Sequence, residues 1–159
     1  MRRSHLDTKE MSMSFAPYLN FDGDCAEAFA FYADTFGGTI AYQSTFGEAA
    51  SMPGMPPLND EDKRRIMHAQ IQLKGGLLMG SDALAGADEA CGGGYRPPQG
   101  MWVSVQADDA EQGRRFFDAL AKGGEVAMPY ADTFWSDGFG MVKDRFGIPW
   151  MVNVPKKEG

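Results

Sequence analysis

The sequence is short of the residues that cross-link a chain or build metal centres. It has two cysteines, Cys25 and Cys91, and two histidines, His5 and His68, among 159 residues. Two unpatterned cysteines make neither a disulfide framework nor a zinc-ligand spacing, so the chain is expected to fold on its core alone in a reducing compartment, the cytoplasm. One histidine inside the domain leaves no histidine-rich catalytic site. Positive charge is scarce too. Fifteen Lys and Arg against 22 Asp and Glu give a formal charge of −7 with no basic cluster, which excludes the usual nucleic-acid binder, because phosphate neutralisation supplies most of that affinity. No apolar run approaches the ~18 residues of a membrane helix, and the opening MRRSHLDTKEMSMS has basic residues without an apolar stretch behind them. Neither a signal peptide nor a membrane partner is expected. Residues 1–13 read as a disordered extension ahead of one domain over residues 14–155.

What is present is a duplication. Phe15–Tyr42 shifted by 86 positions falls on Met101–Met128 without a gap: Asp22 lands on Asp108, Phe31 on Phe117, and Gly37-Gly38 on Gly123-Gly124. Both copies read as strand, acidic turn, amphipathic helix, Gly-Gly stop and strand. The first strand is expected over Phe15–Phe21, with Phe15, Leu19 and Phe21 toward the helix and Tyr18 and Asn20 on the other face. Asp24 with Glu27, and Asp108 with Glu111, have capping-box spacing. The first helix runs to about Phe36 and buries Phe29, Tyr32, Ala33 and Phe36; the second buries Gly113, Phe116, Phe117 and Leu120. Arg64–Leu73 reads as a strand with His68, Gln70 and Gln72 on one face. Gly75-Gly76 turns it into Leu77–Met79, and a shift of 71 places this hairpin on the tail GFGMVKDRFGIPWMVNV. Gly47–Lys63, rich in Met and Pro, is either a lid or an unconstrained insertion. The domain therefore divides into module one (14–82), a Gly- and Pro-rich linker (83–100) and module two (101–155). The expected fold is α+β: two βαβββ modules forming a curved mixed sheet with an open concave cavity and the helices outside.

The repeat, together with PYLNF, AFYADTFGG, HAQIQL, LLMGSD, TFWSDGFG and DRFGIPWMVN, resembles the PhnB-like branch of the vicinal oxygen chelate superfamily, which includes glyoxalase, bleomycin-resistance proteins and extradiol dioxygenases. The resemblance covers roughly residues 15–154. It implies paired βαβββ modules, a ligand cavity in the sheet concavity and a homodimer. Metal-dependent relatives hold a divalent ion with four side chains, one from each of four strands. Carried over, those positions fall at Ala16 or Pro17, at Trp102 or Met101, near Gln70, and at Met151. Three of the four cannot hold a hard or borderline cation, so no metal and no cofactor is expected. A ubiquinone-pathway methyltransferase activity, a label attached to this branch, does not suit the chain either, since no glycine-rich turn opens a helix after a strand.

The site residues to which this leads each have a bland counterpart. His68 is the one imidazole in the domain and a candidate general acid or base; a hydrogen-bonded sheet histidine would look the same. Tyr18, Asn20 and Gln70, with Ser104 at the position repeat-related to Tyr18, put hydroxyls and amides on the concave face, where they would orient a ligand or merely meet solvent. Trp102, Phe134, Trp135, Trp150 and Met151 would wall an apolar pocket, although aromatics such as Trp135 or Trp150 are often core or dimer interface. Met52 and Met55 would adapt to a ligand if their loop closes. The expected function is the binding of a small apolar or aromatic molecule. The alternative is a metal-dependent lyase, isomerase or dioxygenase of the glyoxalase type that uses His68.

Overall fold

The computed structural model describes residues 13–84 and 93–157. His5, Cys91, all of the expected extension except Met13 and the middle of the linker lie outside them. Strands β1 (Tyr18–Phe21), β2 (Thr39–Thr45), β3 (Ile66–Leu73) and β4 (Gly76–Asp82) make one sheet in the order β1-β4-β3-β2. Strands β5 (Val103–Gln106), β6 (Glu125–Ala131), β7 (Ser136–Lys143) and β8 (Pro149–Pro155) repeat it as β5-β8-β7-β6. In each sheet the first and last strands of the module run parallel and the other pairs antiparallel. Helix α1 (Cys25–Phe36) packs on β2, β3 and β4, a short α2 (Asp60–Arg64) sits in the loop before β3, and α3 (Ala110–Ala121) packs on β6, β7 and β8. This is the α+β pair of βαβββ modules that the repeat predicts. No helix among the described residues is long and apolar enough to cross a membrane.

Alternation along the strands decides what each face meets. Leu19, Phe21, Ala69, Ile71 and Leu78 turn inward against Phe29 and Tyr32 of α1; Val103, Val142, Trp150, Val152 and Val154 do the same against Phe117 and Leu120 of α3. Burying such side chains contributes about 1.5–3 kcal/mol each. The two cores meet at an aromatic seam, where Tyr32 and Phe36 lie 5.1 and 5.3 Å from Trp150 and Phe36 stands edge-on to Phe116. Trp150 is only 2% exposed. It is core, and of the aromatics proposed to wall a pocket it belongs to the bland reading.

Four local expectations are corrected. β1 begins at Tyr18, and Phe15 is exposed instead of facing the helix. Pro17 has no N–H for a ladder and restricts the residue before it, so only its carbonyl joins, accepting from Met79 N–H at 3.1 Å, and the strand proper starts at Tyr18. Asp24 makes no side-chain cap on α1. Asp82 at the end of β4 takes that role: its Oδ1 accepts from Gly23 N–H at 2.9 Å and Cys25 N–H at 3.0 Å, and its Oδ2 from Ile66 N–H at 2.8 Å. It is thus a buried cap. The box that opens α3 lies one residue later than Asp108 and Glu111: Asp109 accepts from Gln112 N–H, and the Gln112 side chain accepts from Asp108 N–H. Finally, the shift of 71 holds from β3 to β7 but becomes 72 from β4 to β8. Ile71 pairs with Leu78 where Val142 pairs with Trp150, so the second hairpin turn is one residue longer. Gly37 and Gly123, at φ +71° and +73°, end the two helices as the Gly-Gly stops predict.

Candidate functional site

The face of module one turned away from α1 carries a compact polar and aromatic group. β1 supplies Tyr18 and Asn20, β4 supplies Met79 and Ser81, and register places Tyr18 beside Met79 and Asn20 beside Ser81. β3 adds His68 and Gln70, opposite Ser44 and Tyr42 of β2. The Tyr18 hydroxyl lies 3.3 Å from His68 Nδ1, and Gln70 Oε1 lies 3.5 Å from His68 Nε2, a long contact. The imidazole stands between two phenol rings, 5.8 Å from that of Tyr18 and 5.9 Å from that of Tyr42. Ser81 donates to Asn20 Oδ1 at 3.3 Å. Tyr18 and Tyr42 remain 46% and 52% exposed. Rings held by neighbours and left open on one side are what a flat ligand needs.

Module two has a different face. Gln106 donates to Ser104 Oγ at 2.8 Å and accepts from Asn153 Nδ2 at 2.7 Å. Met151 pairs with Ser104, Met141 with Met151, and Phe139 with Asn153. Trp135 stacks edge-on against Phe139 at 5.7 Å and against the exposed Phe134 at 4.8 Å. Trp102 lies just before β5 and is part-exposed.

The candidate residues therefore fall into two groups. Tyr18, Asn20, His68 and Gln70 are brought together. Ser104 and Met151 sit side by side on the other module, with Phe134 and Trp135 at the β6–β7 loop. Sequence reading missed Tyr42 and Ser81. The signal for Tyr42 was available in the pairing of β2 with β3, but a bulge around Ala41 changes the face that β2 presents. A cavity of about 430 Å³ opens at the Asn20–Ser81 end, bordered by Phe46, Met55, Pro56, Tyr95 and Arg96. Met55 thus reaches the site region. The far end of its loop is tied down by Arg65, which is 8% exposed and donates to Asp22 at 3.1 Å, Glu61 at 3.3 Å and the Ala83 carbonyl at 2.6 Å. A second cavity of about 580 Å³ opens in the seam between the modules, beside Ser104 and Gln106.

The donor set is a poor match for a divalent ion. Ala16 and Pro17 precede β1, and Met101 and Trp102 precede β5. The residues that β1, β4, β5 and β8 do present on these faces are Tyr18, Asn20, Met79, Ser81, Ser104, Gln106, Met151 and Asn153. None carries a charge, and a hard cation prefers carboxylate oxygen. Among the described residues no group of three or more His, Cys, Asp or Glu is arranged to hold a metal. Cys25 offers no nucleophile: burial, with Asp82 and Asp24 nearby, pushes its thiol far above the ordinary range.

Fold and faces together define a two-module βαβββ protein whose open sheet faces are polar and part aromatic. The sequence model of the Glyoxalase/Bleomycin resistance protein/Dioxygenase superfamily matches residues 14–152, and the chain belongs to that superfamily. It is 35% identical over 151 residues to protein YjdN of Escherichia coli strain K12, covering 92% of this chain and 98% of that one. Among solved structures it is similar to protein PA1353 of Pseudomonas aeruginosa, with TM-score 0.75 and 37% identity, covering 91% of this chain and 99% of the other. It also shares its fold with a Bacillus cereus PhnB protein described as a putative 3-demethylubiquinone-9 3-methyltransferase (TM-score 0.67, 23% identity, 89% and 99% covered).

Proposed function

We propose that the protein binds a small, uncharged, ring-bearing molecule on the face of module one without a resident metal, as a homodimer in the cytoplasm. One observation carries the reading: His68 is held between the rings of Tyr18 and Tyr42, with Gln70 on its other nitrogen and Asn20 and Ser81 nearby. Rings provide a flat apolar contact and the amides and hydroxyls fix orientation, the mix found in small-molecule sites. The eight neutral side chains on β1, β4, β5 and β8 support the metal-free part. Exposed aromatic and methionine side chains on both sheet faces support a partner copy that covers part of them.

The test is a ¹H–¹⁵N spectrum of the protein titrated with a panel of neutral aromatic and aliphatic fragments. Aromatic fragments are expected to shift the resonances of Tyr18, Tyr42, His68 and Gln70. Shifts confined to module two, or none at all, would overturn the assignment. Elemental analysis showing a stoichiometric transition metal would overturn the metal-free part, and light scattering at the mass of one chain would overturn the dimer.

The metal-dependent lyase, isomerase or dioxygenase alternative has no charged donor set on these strands to rest on. A methyl-transfer role gains no support from the turns before α1 and α3, Asp22-Gly23-Asp24 and Ala107-Asp108-Asp109, which are acidic rather than glycine-rich.

A further inference from the structure

The geometry points to the Tyr18 hydroxyl oxygen as the atom this face offers to a ligand, with His68 as its positioning residue. The molecule so selected is planar and neutral and bears an O–H or N–H donor, as a phenol, an enol or a lactam does. The inference rests on the small-molecule reading above and adds which atom recognises what.

Each nitrogen of His68 faces one polar atom, Nδ1 at 3.3 Å and Nε2 across a long 3.5 Å. Nε2 faces Gln70 Oε1, a carbonyl oxygen that only accepts, so Nε2 carries the hydrogen. A neutral imidazole has one N–H, which leaves Nδ1 as a bare lone pair. The group facing Nδ1 at 3.3 Å is the Tyr18 hydroxyl, and it therefore donates there. With its single proton turned toward His68, the exposed Tyr18 oxygen meets solvent as an acceptor.

Surroundings narrow the ligand class. Tyr18, Asn20, Tyr42, Gln70, Met79 and Ser81 carry no charge, and Arg96 borders the cavity at the Asn20–Ser81 end, whose lining does not include Tyr18, so at the Tyr18 oxygen a phosphate or carboxylate meets only a lone pair that repels it. The Tyr42 ring, on the other side of the imidazole, supplies a flat apolar contact.

The arrangement is confined to module one. The positions related to Tyr18, His68 and Gln70 by shifts of 86, 71 and 71 are Ser104, Phe139 and Met141. Phe139 and Met141 face the same way on β7 but can hold no proton.

The experiment uses full-length protein carrying His5→Gln, so that His68 is the one imidazole, with ¹⁵N-labelled histidine. The long-range ¹H–¹⁵N spectrum is expected to show the Nε2–H tautomer, and Tyr18→Phe to change the Nδ1 shift without unfolding. Phenol and anisole, which differ in the presence of the donor, are then titrated. Phenol should bind about 5-fold or more tightly than anisole, the scale of one net hydrogen bond, and the preference should vanish in Tyr18→Phe. An Nδ1–H tautomer overturns the inference. Equal binding of both probes at Tyr18 and Tyr42 overturns it too and leaves the small-molecule reading standing. Failure of both probes to perturb this face, with no other neutral ring doing so, overturns both.

Discussion

Tyr32 on α1 donates its hydroxyl hydrogen to Asp144 Oδ2, across the seam between two modules and 112 positions along the chain. The same carboxylate accepts from Trp150 Nε1 at 2.8 Å, Phe146 N–H at 2.9 Å and Ile148 N–H at 3.0 Å, and it is 4% exposed. Burial, with the Asp144 charge beside it, drives the Tyr32 phenol far above its ordinary range, so the proton stays on the tyrosine as donor. A buried carboxylate with four donors is costly to disturb from either side. Tyr32→Phe should lower unfolding free energy by about 1–3 kcal/mol, and Asp144→Ala by about 3 kcal/mol or more, since it strands three further donors. Urea titrations followed by circular dichroism check both. Because the hub belongs to both halves, tryptophan fluorescence and circular dichroism should report one coincident transition; two separated transitions would show that the modules unfold independently.

The start of α1 yields a prediction about which acid matters. Asp82→Ala leaves Gly23, Cys25 and Ile66 N–H groups without their acceptor and should cost about 2 kcal/mol or more. Asp24→Ala, at the position that local spacing favours, should cost little. If thermal melts rank the two the other way, the cap has been misassigned.

Asp24 also makes a pH prediction. Burial first, and then the nearby charges of Asp82 and Glu27, raise its carboxyl above the ordinary 3.8, against opposing backbone hydrogen bonds. A raised acid binds its proton more firmly in the folded state, so the stability this group contributes is present below 3.8 and is lost as pH rises through the folded value. Asp24→Asn should therefore be slightly more stable than the parent at pH 7, with the gain shrinking to nothing in strong acid. The effect is small because the side chain is part-exposed and screened. Melting temperatures of the two proteins across pH 3–7 decide it.

Cys25 should resist alkylation. It is fully buried and its thiol is held far from the thiolate by burial and by Asp82 and Asp24. Mass spectrometry of the peptide containing Cys25 is expected to show no iodoacetamide adduct in native protein and complete modification in denaturant. Rapid native labelling would contradict the packing at the start of α1.

The parts of the fold that follow from short-range pattern were readable in the chain: the 86-residue repeat, the Gly-Gly helix stops and the inward alternation of Leu19, Phe21, Ala69 and Ile71. The misreadings share a physical cause. Asp24 and Glu27 look like a capping box because spacing is local information, whereas Asp82 reaches the same N–H groups only after β4 has been laid beside β1. The bridging role of Asp144 was not legible, since the partner that ties it to the other module, Tyr32, lies 112 positions away on α1. At the candidate site, Tyr18, Asn20, His68 and Gln70 followed from strand alternation. Tyr42 did not, because its facing depends on a bulge that alternation cannot see. Trp150 was ambiguous between wall and core, and it went to the core because Asp144 satisfies its indole N–H there.

The two inward-turned acids also say something about descent. Shifted by 71, Asp144 corresponds to Leu73; shifted by 72, Asp82 corresponds to Val154. Each half keeps its acid where its twin keeps an aliphatic side chain, and each acid answers backbone groups that its own half alone leaves exposed. The halves have consequently ceased to be spare copies of one another. A gene assembled from two first halves would leave the seam without its carboxylate, and one assembled from two second halves would have no residue at the Asp82 position to seat the entrance of α1.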